Sequence, residues 1–214
     1  MTYDNGISID GVGSVEDMNL EIAAKSLSGP VKRSVRVSVP FMSGSYDFSD
    51  VYGYTTYDDR ELSVSFDVVE ASTEGLESRL TDVLTWLATA QESEIVDEDA
   101  PGYHFRGSYS RAEVAYDESG LAATVEVVFD VYPYRIADEE TTAEVSVGEN
   151  TVTNGGARTK VLVTPTDGTC TIQIGTVSQT FTGASYADFY LEAGENTVTV
   201  TGGAAELSWV EEVL

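Results

Sequence analysis

Only one stretch of this chain repeats its apolar residues at helical spacing, and that scarcity confines the first half to sheet with a single helix laid on it. From Leu76 the apolar positions are Leu76, Leu80, Val83, Leu84 and Leu87, which fall on one stripe of a 3.6-residue helix. Glu77, Arg79, Asp82 and Thr85 occupy the opposite, water-facing side. Ser72 or Thr73 is placed to accept from the first free amides, and Glu74 sits in the first turn, where the helix dipole favours an anion. Trp86 lies off the stripe and is expected to reach a neighbouring element.

Strand patterning flanks this helix. Leu62, Val64, Phe66 and Val68 alternate with Ser63, Ser65 and Asp67 before it, and Val125, Val127, Phe129 and Val131 alternate with Thr124, Glu126 and Asp130 after the Gly120 turn. A period of two marks a strand with one buried face. Val35, Val37 and Val39, alternating with Arg36 and Ser38, predict another such strand, which Pro40 ends or sets at an edge. Earlier still, Gly6, Gly11, Gly13 and Ser28-Gly29-Pro30 suggest short strands and turns. The segment Ser45 to Tyr57 is loop in composition yet carries Tyr46, Phe48, Tyr52, Tyr54 and Tyr57. These rings either cap the sheet below them or meet another subunit, since tyrosine is enriched in interfaces. The first module is thus an α+β domain: an antiparallel β-sandwich with one helix and a long hairpin that closes at Tyr132-Pro133-Tyr134-Arg135.

From Ile136 to Thr142 the chain turns polar, which reads as a linker and divides it into domains at 1–137 and 138–214. Beyond it no helical period survives. Short runs recur at the spacing of an all-β sandwich: Glu144 to Val147, Lys160 to Thr164, Cys170 to Ile174, Ser178 to Phe181, Asp188 to Leu191, Thr197 to Thr201 and Glu206 to Val213. One hexapeptide, Gly-Glu-Asn-Thr-Val-Thr, occurs twice, at Gly148 to Thr153 and Gly194 to Thr199. A glycine turn whose asparagine feeds a β-branched strand start explains it as well as duplication does.

The charge excludes one class of function outright. Among 214 residues, 37 are acidic and 11 basic, a formal net charge of -26. Gripping a nucleic-acid backbone requires clustered lysine and arginine to displace counterions, and this chain has three lysines. The acidity fits a solvated acidic face, a host living in high salt, or a surface past which DNA slides without sticking. The single cysteine, Cys170, forbids an intrachain disulfide and agrees with folding in a reducing cytoplasm. No basic segment followed by an apolar run opens the chain, and no stretch of about 18 apolar residues occurs; neither an ordinary secretion signal nor membrane insertion is expected.

Catalytic constellations are sparse. Ser-His or Cys-His catalysis needs a histidine base, and the one histidine, His104, alternates outward if Tyr103 and Phe105 point inward. One histidine and one cysteine cannot close a zinc site. Gly11-Val12-Gly13 lacks the third glycine of a dinucleotide loop, and Asp97-Glu98-Asp99 lacks the spaced ligands and glycine of a calcium loop. A carboxylate pair for glycoside hydrolysis is always available among 37 acids, and for that reason carries little weight. Cys170 reads as a small buried hydrophobe. No catalytic residue, metal or cofactor is expected.

The order of pieces nevertheless resembles one family. The Tyr/Phe/Asp loop before Arg60-Glu61-Leu62, the helix ending Leu84-Thr85-Trp86-Leu87, the run Pro101-Gly102-Tyr103-His104-Phe105-Arg106-Gly107, the strand ending Tyr132-Pro133-Tyr134-Arg135 and an all-β tail with Ala193-Gly194-Glu195-Asn196 resemble the distal tail (Dit) proteins of long-tailed bacteriophages. The resemblance implies a belt domain that assembles into a hexameric ring at the end of the tail tube. It further implies a projecting galectin-like or jelly-roll β-sandwich, and the role of a non-enzymatic hub in the virion tail, assembled in the host cytoplasm. The expected partners are other copies of the chain, the tail tube protein and tail tip, baseplate or fibre proteins, with DNA only in transit. Tyr46, Phe48, Tyr52, Tyr54 and Tyr57 are the candidate ring contacts. Two rival readings are a tube-forming ring protein and a carbohydrate-binding accessory module. In the latter Trp209 would stack on a sugar, although its alternation with Leu207 favours the core.

Overall fold

The computed structural model describes residues 6–51 and 53–214. The chain divides into two compact units, the first ending at Pro133 and the second beginning at Tyr134.

In the first unit β1 (Ile7–Ile9) and β2 (Val12–Gly13) form a tight hairpin, followed by β3 (Ile22–Leu27), β4 (Val31–Lys32), β5 (Arg36–Val37), β6 (Tyr46–Asp47), β7 (Tyr57–Asp58), β8 (Arg60–Val69), α1 (Thr73–Leu87), β9 (Ser93–Asp97), β10 (Tyr103–Tyr116) and β11 (Ala122–Val131). An antiparallel sheet runs β2-β1-β9-β10-β11-β8-β3. Its alternation is faithful to the sequence: Leu62, Val64, Phe66 and Val68 of β8 and Val125, Val127, Phe129 and Val131 of β11 are all buried. They meet Leu76, Leu80, Val83, Trp86 and Leu87 of α1 in one core. Fully burying such side chains contributes about 1.5–3 kcal/mol each, which is why a 15-residue helix of modest propensity holds its place.

Ser72 is the N-cap, its hydroxyl accepting from the Gly75 amide at 3.1 Å. Trp86 reaches a neighbouring element, strand β8, as expected. It lies against Phe66, edge to face at 6.2 Å between centroids, because its position borders the apolar stripe and its ring is wide enough to span the gap. Gly107, the last residue of the Pro101–Gly107 run, explains its own presence: a Cβ there would stand 2.7 Å from a Val131 methyl and 3.0 Å from the Asp130 carbonyl. The β10–β11 ladder crosses at that point with no room for a side chain.

The second unit comprises β12 (Arg135–Val145), β13 (Gly148–Asn154), β14 (Thr159–Pro165), β15 (Cys170–Ile174), β16 (Val177–Phe181), β17 (Ser185–Leu191), β18 (Gly194–Thr201) and β19 (Ala205–Val213). The expected linker is therefore a strand. Its polar side chains sit on β12, whose neighbour β19 accepts it in register from Arg135↔Val213 to Val145↔Ala205 with one irregularity after Ile136. Polarity signalled exposure there, and β-branched Thr141 and Thr142 suit an exposed strand. Two four-stranded antiparallel sheets, β17-β14-β19-β12 and β13-β18-β15-β16, bury a common core that includes Val161, Leu207, Ile172, Val198 and the edge-to-face pair Phe181 and Phe189. This is a β-sandwich.

The repeated hexapeptide has a structural meaning that the sequence withheld. Its two copies pair with each other, antiparallel, about a local two-fold centred on Thr151↔Thr197, so that Asn150 faces Val198 and Val152 faces Asn196. Each copy also opens with the same clamp. Asn150 accepts from the Ser146 amide and donates to the Ser146 and Gly148 carbonyls; Asn196 does the same to Glu192 and Gly194. Gly148 and Gly194 take φ of 118° and 90°, a region that side chains resist. Each clamped turn carries the chain from one sheet to the other, β12 to β13 and β17 to β18.

Candidate interaction surface

Between Ser28 and Asp58 the chain leaves the first unit's core and returns to it. The base of this arm is pinned: Ser28 and Glu61 exchange hydrogen bonds at 2.9 and 2.8 Å, and the buried Arg60 guanidinium donates to the Ser28 carbonyl at 2.7 Å and the Pro133 carbonyl at 3.3 Å. Above the base, among the described residues, two short ladders hold the arm's sides together, Val31↔Asp58 with Lys32↔Tyr57, and Arg36↔Asp47 with Val37↔Tyr46. Ion pairs reinforce them, Lys32 to Asp50 and Arg33 to Asp58 at 2.6 Å and Arg36 to Asp47 at 3.4 Å. The hydrogen bond to Asp50 raises the Lys32 pKa, as that to Asp58 does for Arg33. The Ser49 hydroxyl and amide, aided by Arg36, lower that of Asp47. All of these are exposed, so each pair contributes little to stability.

Apolar side chains line this arm without a core to enter. The strand expected over Val35 to Val39 is reduced to Arg36–Val37, and all three valines are exposed. Alternation gave the segment one apolar face, but no element packs on that face. Phe41, at φ 68°, is fully exposed at the tip, and Val31, Met42 and Val51 are exposed elsewhere along the arm. Of the candidate ring contacts, Tyr46, Phe48 and Tyr54 are 55%, 44% and 40% exposed, so the described rings are not caps on the sheet. Tyr46 and Phe48 lie 6.2 Å apart between centroids, Tyr57 is half-buried on β7, and Tyr52 lies outside the described residues. The arm's charge also sets it apart in the sequence: residues 29–57 carry three basic and two acidic side chains, whereas the other 185 carry eight and 35. The arm is thus spared the acidity that marks the chain as a whole.

The remaining candidates resolve as structure. Trp209 is only 4% exposed, inside the second unit's core; neither ring face is open to a sugar, because its strand turns it inward with Leu207. Phe105 is buried and His104 half-buried beside it on β10. Cys170 is buried and burial pushes its thiol pKa up, the opposite of what a nucleophile needs. The Asp97-Glu98-Asp99 run is occupied by an amine: Lys25 Nζ donates to Asp97 at 2.6 Å and Asp99 at 2.8 Å. Burial works against that charge, but the two carboxylates outweigh it and hold Lys25 above the usual lysine value. Among the described residues no cluster of histidine, cysteine and carboxylates is arranged to hold a metal ion.

No curated protein matches the chain. Among solved structures, the Dit (gp 19.1) protein of phage SPP1, described as a paradigm of hub adsorption apparatus in phages infecting Gram-positive hosts, aligns over 98% of this chain and 99% of its own with a TM-score of 0.72 at 15% identity. A chain of the phage P2 baseplate, in its activated conformation with calcium, aligns over 91% of this chain and 90% of its own at a TM-score of 0.41 and 8% identity. The first of these likenesses establishes a shared fold. Residues 15–131, more than half of the chain, match the family model of the phage tail protein RIFT-related domain, and the chain belongs to that family of phage tail proteins.

Proposed function

We propose that this chain is the structural hub at the distal end of a phage tail, where copies of it close into a ring, a hexamer on the pattern of distal tail proteins. The first unit is the ring-forming belt, one face of which meets the tail tube protein. The second is a galectin-like, jelly-roll appendage directed at tail tip, baseplate or fibre proteins. The single observation that carries the reading is the arm. Its exposed valines, Phe41 and tyrosines form an apolar surface of the kind that monomers rarely leave open, and its near-neutral charge lets it approach a strongly acidic neighbour. Tyr46, Phe48, Tyr52, Tyr54 and Tyr57 are assigned to that contact. The acidity of the remainder suits a lumen through which DNA moves without being held, since retention requires cations at the phosphates. The protein acts in the virion tail after assembly in the host cytoplasm; among the described residues no helix is long and apolar enough to cross a membrane.

Light scattering and negative-stain imaging of the purified chain in about 1 M NaCl, where acidic copies repel least, test this. A ring is expected. A monomer across the micromolar range sinks the proposal. The variant Val37→Asp with Phe41→Ser is expected to stay folded and lose the ring; rings that persist in it move the contact away from the arm.

A further inference from the structure

At three rungs of the sheets an exposed carboxylate stands directly across from another. Glu61 faces Asp130 between β8 and β11, Glu113 faces Glu126 between β10 and β11, and Glu144 faces Glu206 between β12 and β19. All six side chains are exposed. Opposed residues on antiparallel neighbours hold their Cβ atoms about 4.5–5.5 Å apart, and like charges there destabilise the pair where opposite charges would support it. Arg111 relieves one rung, 3.6 Å from Glu61. Among the described residues no lysine or arginine stands in ion-pair contact with Glu113, Glu126, Glu144 or Glu206. Both units contain such a rung, and both are embedded in a chain of net charge -26.

We infer that the fold is gated by ionic strength: the carboxylate rungs oppose strand pairing in dilute salt, and the chain reaches full stability only where counterions screen across a single rung. The length scales decide this. Screening extends over about 10 Å at 0.1 M salt and about 3 Å at 1 M, so a rung roughly 5 Å wide repels in the first condition and is screened in the second. Net charge alone predicts some dependence on salt; the register adds specific positions at which it is concentrated. The inference rests on strand pairing within one chain and not on the hub reading, so its test follows unfolding rather than assembly.

Thermal unfolding of the full chain is followed by circular dichroism in 0.1 M and 1 M NaCl, at two protein concentrations tenfold apart so that any contribution of association declares itself. At both concentrations the midpoint is expected to rise by roughly 5–10 °C between the two salts. The variant Glu126→Gln with Glu206→Gln, which removes one charge from an unrelieved rung in each unit, is expected to melt a few degrees higher than the parent at 0.1 M and to rise less. A control, Glu118→Gln with Glu149→Gln, lowers the net charge equally at positions outside the rungs and is expected to follow the parent. Coincident parent and rung-variant midpoints at 0.1 M overturn the inference, as does a control that flattens the response as much as the rung variant. If the rung variant does not fold, Glu113→Gln with Glu144→Gln removes the opposite members of the same pairs and carries the same expectation.

Discussion

The arm and the β10–β11 hairpin begin from the same sequence device and end as opposites. Val35, Val37 and Val39 alternate with Arg36 and Ser38, and Val125, Val127, Phe129 and Val131 do so with Glu126 and Asp130, interrupted only by Val128. In the hairpin the alternation places one row against α1, and the ladder runs from Gly107↔Val131 to Tyr116↔Ala123 with one bulge. In the arm the same alternation reaches no second layer, and pairing stops after two rungs at each of two places. Periodicity therefore reports that a strand has an apolar face, whereas burial depends on whether another element arrives to cover it. Where none does within the chain, the face is available to something outside it.

The most forceful way to break this comparison is to remove a phenylalanine from each region. Phe129→Ala empties a fully buried site and is expected to cost about 3–5 kcal/mol of unfolding free energy, measured by urea denaturation. Phe41→Ala should change the unfolding of the dissociated chain by no more than about 0.5 kcal/mol. A cost above about 2 kcal/mol at Phe41 would show that the arm packs on its own chain, contrary to its exposure.

The two asparagine clamps sharpen the same lesson within the second unit, since they share one hydrogen-bond pattern in different surroundings. Asn196 is buried and Asn150 half-exposed, so water can replace the lost partners at only one of them. Asn196→Ala is expected to cost about 1–3 kcal/mol and Asn150→Ala about 0.5–1.5 kcal/mol. Equal costs in chemical denaturation would mean that the turn, and not its burial, sets the value.

The smallest effect concerns Lys25, whose ion pairs with Asp97 and Asp99 are better covered than those of the arm. Its folded pKa lies above 10.5, so the stabilisation is fully present below pH 10.5 and disappears as pH rises through the folded value. Between pH 9.5 and pH 11.5 the parent should lose more of its melting temperature than Lys25→Met does. Parallel curves for the two proteins would remove the lysine from any role in holding β3 to that loop.

The composition and the periodicities determined a good deal unaided: one helix over a sheet, a second all-β half, an acidic surface unfit to grip DNA, and the absence of a histidine or cysteine constellation. These are properties of local spacing and of residue count, which need no knowledge of neighbours. Only the tertiary structure decided the rest. It turned the polar stretch at 136–142 into strand because β19 offered it a ladder, and filled the Asp97–Asp99 run with Lys25 from a distant strand. It also left the arm bare and set carboxylate across from carboxylate. Each of these depends on which residues meet across a rung or a layer, and such meetings are fixed by register and packing between segments far apart in the chain.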